Sequence, residues 1–268
     1  MRQLKTYMTR VRTFIANHYL KVLQVVGFFI LWQIIAMLID KVFIIPSPLA
    51  VFSALFDPEL AAQYKWIEHI VTTLTEIALG FALSAGVGVL IAVTISWSKL
   101  LRDIFMPLLV FFNSIPKIAM APLFLIWFGY GIIPNALIAI LIGFFPVVIN
   151  SATGLNEVDE DLLDLVNYLH ATKLQVFTKI RLPNALPYIF SGLKISTTFC
   201  VVGAIIGEFI AAERGLGYLL MDSQALIDTP PMFAGLIVIS ILALGLFGLI
   251  SVFEGILMPW QKSSTAAI

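Results

Sequence analysis

Residues 170–187 have the sequence HATKLQVFTKIRLPNALP, a polar and charged segment between two strongly apolar stretches. Thr172 is followed three positions later by Gln175, the capping-box pattern that begins a helix. We expect a short helix over 172–181 that ends at Leu182-Pro183. Pro187 is expected in the first turn of the next apolar helix, where proline is tolerated.

This short helix has two chemically different sides. Helical spacing gathers its apolar residues on one side, with the basic residues elsewhere. The apolar residues are Leu174, Phe177 and Ile180, and the basic ones are Lys173, Lys179 and Arg181. The pattern fits a helix that docks on a partner protein, and equally one that lies on lipid headgroups.

A second helix is predicted just upstream. Asn156 is a candidate N-cap, and the acidic residues of 157–161 carry the sign that favours a helix N-terminus. Apolar residues recur at helical spacing through Leu169, and His170-Ala171 breaks the run. Residues 154–186 therefore form one loop containing two helices.

The composition places the chain in a lipid bilayer. Hydrophobic residues make up 60% and charged residues 12%, with a mean hydropathy of +1.00, whereas soluble domains are nearer half apolar and a quarter charged. The net charge of zero gives no indication of nucleic acid. Cys200, the single cysteine, lies in an apolar run, where a buried and inert thiol is expected.

Six segments are long and apolar enough to cross the membrane. Prolines at 107, 116 and 122 should kink or break the third, and Ser84, Gly86 and Gly88 suit close helix contact in the second. The six predicted spans are 22–40, 72–97, 104–128, 132–153, 187–211 and 232–258.

The basic residues give the orientation. Twelve of the sixteen Lys and Arg fall in segments that are inside if the N-terminus is inside, and three fall outside. This bias predicts an all-α membrane protein with six transmembrane helices and both termini cytoplasmic. The loop 154–186 is then cytoplasmic.

The predicted organisation has four parts. They are a cytoplasmic tail at 1–21, a first helix with its outer connection at 22–71, a transmembrane core at 72–258 and a cytoplasmic tail at 259–268. In the outer connection, Pro48 is placed to open a short helix that runs through Phe56.

Three sequence blocks resemble one family. The 154–186 loop resembles the EAA loop of ABC-importer permeases: Ala171, Ile180, Leu182 and Pro183 match its closing pattern. The segment SIPKIAMAPL at 114–123, continuing to Trp127-Phe128-Gly129, is similar to the nitrate, sulfonate and taurine permease group. So is Gly207-Glu208-Phe209 followed by Gly215-Leu216-Gly217-Tyr218.

The loop departs from that family at two places. Asp164-Leu165-Val166 stands where the family usually has Glu-Ala-Ala, and His170 stands where it usually has glycine. Glycine reaches left-handed backbone angles more easily than histidine does. The turn is therefore expected to differ in shape or to be completed by a side-chain contact. A structural histidine is favoured there over a pH switch.

The resemblance implies a type I ABC importer permease fold in the bacterial inner membrane. It further implies a homodimer, two cytoplasmic ABC ATPase subunits, an extracytoplasmic solute-binding protein and no cofactor. The solute would be a sulfonate, taurine or nitrate-like anion, or a small heterocycle such as a vitamin precursor. The residues expected to couple the permease to the ATPase are His170, Ala171, Thr172, Lys173, Leu174, Phe177, Ile180, Leu182 and Pro183.

Four polar residues are candidates for the translocation path. Lys117 falls inside the third span, where a charge must face protein or water, although it could also snorkel to an interface. Glu208 is placed near the outer end of the fifth span, as a gate or a simple interfacial carboxylate. Asn113 and Asn150 lie in apolar surroundings, where hydrogen bonding between helices is the commoner explanation.

The sequence argues against other functions. No phosphate-binding loop of the G-x-x-x-x-G-K-[ST] type, no metal-ligand spacing and no Ser-His-Asp arrangement occurs in it. An ion-driven secondary transporter, the main alternative, usually shows repeats and ionisable groups at membrane depth. We find no repeat and predict almost no buried acid.

Overall fold

The computed structural model describes residues 2–260, so the last eight residues of the predicted C-terminal tail lie outside it. The described chain is helical throughout. The helices are α1 (Arg2–Ile39), α2 (Pro48–Phe56), α3 (Pro58–Gln63), α4 (Trp66–Ser96), α5 (Lys99–Asn113), α6 (Ala121–Phe128), α7 (Ile132–Asn156), α8 (Glu160–Tyr168), α9 (Lys173–Val176), α10 (Leu182–Ala211), α11 (Leu216–Ala225) and α12 (Thr229–Leu257). A 3₁₀ turn, Lys117–Met120, precedes α6, and a π-helical turn, Phe177–Arg181, joins α9 to α10.

The membrane spans agree with the prediction. Five described helices are long and apolar enough to cross, and α5 with the segment Lys117–Phe128, bent by 76°, makes a sixth if the pair is counted as one broken span. The bend lies between the end of α5 at Asn113 and the turn that begins at Lys117. It therefore includes Pro116, one of the prolines at which the sequence predicted a kink or break. Pro116 cannot donate the hydrogen bond that would continue the helix.

The chain divides into two compact units. The smaller contains residues 1–64 and 222–234. Ser47 caps α2, accepting a hydrogen bond from the Ala50 N–H at 3.2 Å, so this short helix begins where Pro48 predicted. In the same unit, Tyr64 donates to Asp228 at 2.7 Å. Burial and that carboxylate together raise the pKa of Tyr64 to about 12.

The larger unit, residues 65–221 and 235–268, is built around α7. Small residues let α4 and α10 approach α7: an added Cβ at Gly88 would lie 2.9 Å from Val147, and one at Gly203 would lie 2.6 Å from Ala139. Ser84 also donates to the Ile140 carbonyl at 3.1 Å. Ser84 and Gly88 thus make the predicted contact, whereas Gly86 faces open space.

The larger unit contains a buried thiol and an ion pair between two of its helices. Cys200 is fully buried beside Ile77 and Ala139, as predicted. Lys194 of α10 forms an ion pair with Glu254 of α12, which satisfies two charges at membrane depth.

Candidate functional site

The cytoplasmic loop begins with a helix whose cap differs from the prediction. Asn156 is the last residue of α7, so its assignment as an N-cap was wrong. Asp159 takes that place, accepting a hydrogen bond from the Asp161 N–H at 2.9 Å. Asp and Asn are both good N-caps, and the α7 helix extends three residues further than its apolar pattern indicated.

His170 ends α8 in a left-handed conformation. Its φ is +54°, and the Ala171 N–H donates back to the Val166 carbonyl at 3.0 Å. This is the bond that closes a helix when the residue after the cap is left-handed, a position usually taken by glycine. The chain therefore makes the tight turn with histidine in place of glycine.

The predicted capping box is present. Gln175 N–H donates to Thr172 Oγ1 at 3.3 Å, and Thr172 N–H donates to Gln175 Oε1 at 2.8 Å. The predicted stop at Leu182-Pro183 was wrong, because the chain passes through the π-helical turn Phe177–Arg181 directly into α10. Pro183 falls in the first turn of α10, where proline is tolerated. Pro187 lies inside the helix, so its predicted place in the first turn was wrong.

This continuous helix is attached to the ends of two spans. The Phe177 ring lies 5.5 Å from that of Trp97, just beyond α4, and packs against Leu155 and Ala185. Arg181 Nη1 donates to the Ser96 carbonyl at 3.4 Å. The loop helix is therefore in direct contact with the ends of α4 and α7.

Asn156 joins three helices at the same depth. Its Nδ2 donates to Ser96 Oγ at 3.1 Å, and its Oδ1 accepts from Arg102 Nη1 at 3.1 Å. Asn184 of α10 donates to the Glu157 carbonyl at 2.7 Å. The cytoplasmic ends of α4, α5, α7 and α10 are thus connected by side-chain hydrogen bonds.

An apolar surface of α8 and α9 remains uncovered. Tyr168 is 84% exposed and Leu174 is 62% exposed, and Leu165 and Leu169 are also exposed. We call these four residues the α8–α9 surface. Phe177 and Ile180, which the sequence grouped with Leu174, are only half-exposed or less, and Phe177 packs inward. A cleft of about 220 Å³ lies between Trp97, Leu163 and Lys173.

Lys117 and Asn113 come together at the bend of the third span. Lys117 Nζ donates to the Asn113 carbonyl at 2.7 Å and to Asn113 Oδ1 at 3.0 Å. The ammonium also lies 4.7 Å from the centre of the Phe145 ring. These contacts place the ammonium group at the last turn of α5, where the helix carbonyls are unpaired. Asn150 is separate and donates to the Pro146 carbonyl of its own helix at 2.8 Å.

Glu208 lies inside the helix bundle, with only 1% of its surface exposed. It accepts hydrogen bonds from Thr73 Oγ1 at 2.5 Å and from the Gly217 N–H at 2.6 Å. The Leu216 N–H donates to the same Thr73 hydroxyl at 2.8 Å. In this conformation Glu208 holds the 215–217 loop instead of lining an open surface.

Glu76 is a second buried acid that the sequence reasoning missed. It is 1% exposed, and its Oε1 accepts from Asn135 Nδ2 at 2.9 Å. The Glu76 carboxyl also forms a side-chain hydrogen bond with the Glu208 carboxyl. The prediction of almost no buried acid was therefore wrong. The available signal was a carboxylate inside the predicted second span, 72–97, with no basic residue at helical spacing.

Comparison with known proteins places this chain in a family. Residues 84–255 match the family described as "Binding-protein-dependent transport system inner membrane component". The chain belongs to this family. It is therefore a multi-pass membrane permease of the ABC-transporter type, as the three sequence blocks indicated.

Individual relatives span nearly the whole permease. The formylaminopyrimidine transport permease protein ThiX of Halalkalibacterium halodurans is 34% identical over 87% of this chain and 92% of its own length. The putative aliphatic sulfonates transport permease protein SsuC of Bacillus subtilis is 30% identical over 87% and 84%. The riboflavin transport system permease protein RibX of Chloroflexus aurantiacus is 31% identical over 82% of each chain.

A solved structure shares the fold. A chain of the MetNI methionine ABC transporter, in an inward-facing conformation, aligns with a TM-score of 0.52 and 19% identity. The alignment covers 72% of this permease and 97% of that chain. The permease thus has the type I importer fold that the sequence resemblance implied.

Proposed function

We propose that this permease is the membrane subunit of an ATP-driven importer for a small organic solute. The family match over 84–255 supports the transport role. The relatives' names cover a formylaminopyrimidine, aliphatic sulfonates and riboflavin, which have small size in common and little else. The family match therefore supports the role of importer subunit more strongly than it supports any particular solute.

The observation that carries the proposal is the attachment of the loop helix to the spans. The loop has an exposed apolar side and an inner side in contact with α4 and α7. Such a loop can transmit the movement of a protein bound on the cytoplasmic side to the spanning helices. The α8–α9 surface supplies the exposed side. Phe177 and Arg181 supply the fixed side through Trp97 and Ser96.

The partner on this surface is proposed to be a cytoplasmic ABC ATPase subunit. Exposed aromatic and leucine side chains are typical anchors of protein interfaces, and Lys173 and Lys179 at the margin would fix orientation. Closure of two ATPases on ATP would then bring two such loops together and switch the spans between two states. Two permease copies follow from this scheme.

The remaining parts of the machine are also proposals. An extracytoplasmic binding protein would deliver the solute to the outer side of a homodimer in the bacterial inner membrane. Lys117, Asn113 and Asn150 remain candidates for contacts along the path. ATP hydrolysis would occur in the separate ATPase subunit.

Co-purification tests the assembly. The tagged permease is expressed with its ATPase subunit, purified in mild detergent, and the subunit ratio is measured by native mass spectrometry. Two permeases with two ATPases are expected. Recovery of the permease without an ATPase, under conditions in which it stays folded, would contradict the proposed function.

A further inference from the structure

The 215–217 loop is held on the helix bundle by three consecutive backbone N–H groups. The Gly215 N–H donates to His69 Nδ1 at 2.9 Å. The next two N–H groups donate to Thr73 Oγ1 at 2.8 Å and to Glu208 Oε2 at 2.6 Å. All three accepting side chains are buried, so each N–H depends on the side chain that it meets.

Two of these three bonds do not depend on a protonation state. The Thr73 hydroxyl does not titrate. Glu208 forms a hydrogen bond with the carboxyl of Glu76, and two carboxyls in such contact hold one proton between them. A carboxyl keeps an oxygen lone pair for the Gly217 N–H whether or not it carries that proton.

The bond to His69 is different, because a histidine nitrogen accepts only when it carries no proton. Neutral imidazole has one acceptor nitrogen, and the imidazolium ion has none. Since Nδ1 accepts from the Gly215 N–H, His69 is neutral in this conformation. A proton on Nδ1 would direct two N–H groups at each other in a site where His69 is only 7% exposed.

Titratable and charged groups approach His69 from the neighbouring elements. Tyr218 of α11 stacks on the imidazole, with 5.9 Å between the ring centres. On α4, Glu68 is paired with Arg214 of the connection before α11 at 3.0 Å. These two charges offset each other, so neither sets the protonation of the imidazole by itself.

The carboxyl pair of Glu76 and Glu208 supplies the remaining charge. When it shares one proton it carries one negative charge, which attracts a proton to the imidazole. The Gly215 N–H competes with that proton for the same lone pair on His69. Closure of the 215–217 loop and protonation of Nδ1 therefore exclude each other.

We propose that His69 is a pH-sensitive latch, in which the neutral imidazole holds the 215–217 loop closed and protonation releases it. Histidine is the side chain whose charge ordinarily changes between about pH 5 and pH 8. The charge distribution places the start of α4 outside, so the latch is exposed to the pH outside the cytoplasm. It stays closed at higher pH and opens as the pH falls, which frees the first turn of α11 from α4.

Hydrogen exchange of the full-length permease in nanodiscs tests the latch. Exchange at residues 215–217 is measured by mass spectrometry at about pH 7.5 and about pH 5.5, on either side of the imidazole range. Dividing the intrinsic rate at each pH by the observed rate gives a protection factor free of the direct effect of pH. Protection of the loop should fall about tenfold or more at the lower pH, while protection of α7 should stay constant.

Matched variants assign the effect to one side chain. His69→Asn places an amide oxygen where Nδ1 was, so the loop should stay protected at both pH values. His69→Leu offers no acceptor and should lose protection at both. The control is His170→Asn, because asparagine tolerates the left-handed angle there. It removes a histidine of the cytoplasmic loop and should leave the pH response at 215–217 unchanged.

Three results would overturn the proposal. The first is equal protection of the wild-type loop at the two pH values, a comparison that needs no variant. The second is a fall in protection that persists in His69→Asn, which would assign the response to the Glu76 and Glu208 pair. The third is an equal fall in α7, which would mean unfolding of the bundle. No ATPase takes part in this measurement, so its outcome is independent of the proposed function.

Discussion

At the scale of single residues, two turns depend on positive backbone φ angles, one at Gly215 and one at His170. Gly215 has a φ of +118°, and an added Cβ would lie 2.2 Å from Glu208 Oε1. The loop over Glu208 therefore requires glycine both for its angle and for its space. His170 reaches a left-handed angle without that freedom.

Gly215→Ala should destabilise the permease. The strained angle and the contact with Glu208 together should cost about 2–4 kcal/mol, seen as a lower melting temperature in detergent. Gly245→Ala is the control, because no atom lies within 4 Å of its added Cβ. An unchanged melting temperature for Gly215→Ala would show that the 215–217 loop is not held as described.

Substitutions at His170 should separate the effect of its left-handed backbone angle from the effect of its imidazole side chain. His170→Gly should keep ATPase binding, because glycine adopts the same angle freely. His170→Val should weaken it and cost about 1–2 kcal/mol, because a branched side chain resists the left-handed region. The measurement is ATPase affinity and melting temperature. If Gly and Val behave alike, the turn does not depend on this angle.

At the scale of elements, the sequence predicted the ends of the spanning helices more closely than their beginnings. Thr172 with Gln175 is a local capping signal, and that cap forms as predicted. The short helix α2 also begins at Pro48 as predicted. The passage from α9 into α10 depends on a π-helical turn, and no local pattern separates that from a stop at Leu182-Pro183. Tertiary contacts of Phe177 with Trp97 support the continuous helix.

The parts of the candidate site that depend on helical periodicity within the loop could be predicted from the sequence. Leu174 is exposed as the amphipathic helix indicated, but Phe177 is directed inward, because helical spacing gives a face without saying what covers it. The pairing of Glu76 with Asn135 joins residues 59 positions apart. Such a contact needs the packing of α4 on α7, which one sequence does not specify.

Leu174 and Phe177 should therefore differ when changed. Leu174→Asp should leave the melting temperature nearly unchanged, since exposed substitutions cost little, yet abolish ATPase binding. Phe177→Ala should lower stability by about 2–4 kcal/mol, because it empties a packed position. Melting temperature and pull-down are measured on both. Loss of ATPase binding in neither variant would remove α8–α9 as the docking element.

At the scale of the whole molecule, one pair of opposite charges joins two of the spanning helices. The Lys194–Glu254 pair joins α10 to α12, and both side chains are about three-quarters buried. In hydrocarbon an unpaired charge is expensive, so such a pair fixes which helices are neighbours.

Breaking this pair should cost more than removing it. Lys194→Met leaves Glu254 without its cation and should destabilise by about 1–3 kcal/mol. The double variant Lys194→Met with Glu254→Met should recover part of that loss, as with other ion pairs replaced by apolar residues. Unfolding in mixed detergent measures both. Additive effects of the two changes would mean that the pair does not couple α10 to α12.

We propose that movement of the ATPase reaches the spanning helices through the α8–α9 surface. The most direct measurement is ATP hydrolysis by the permease–ATPase complex in nanodiscs, comparing wild type, Leu174→Asp and the control Leu49→Asp. Leu49 lies on α2 and is more exposed than Leu174. Hydrolysis stimulated by the permease should persist in wild type and Leu49→Asp and be lost in Leu174→Asp. Stimulated hydrolysis that survives in Leu174→Asp would contradict the claim.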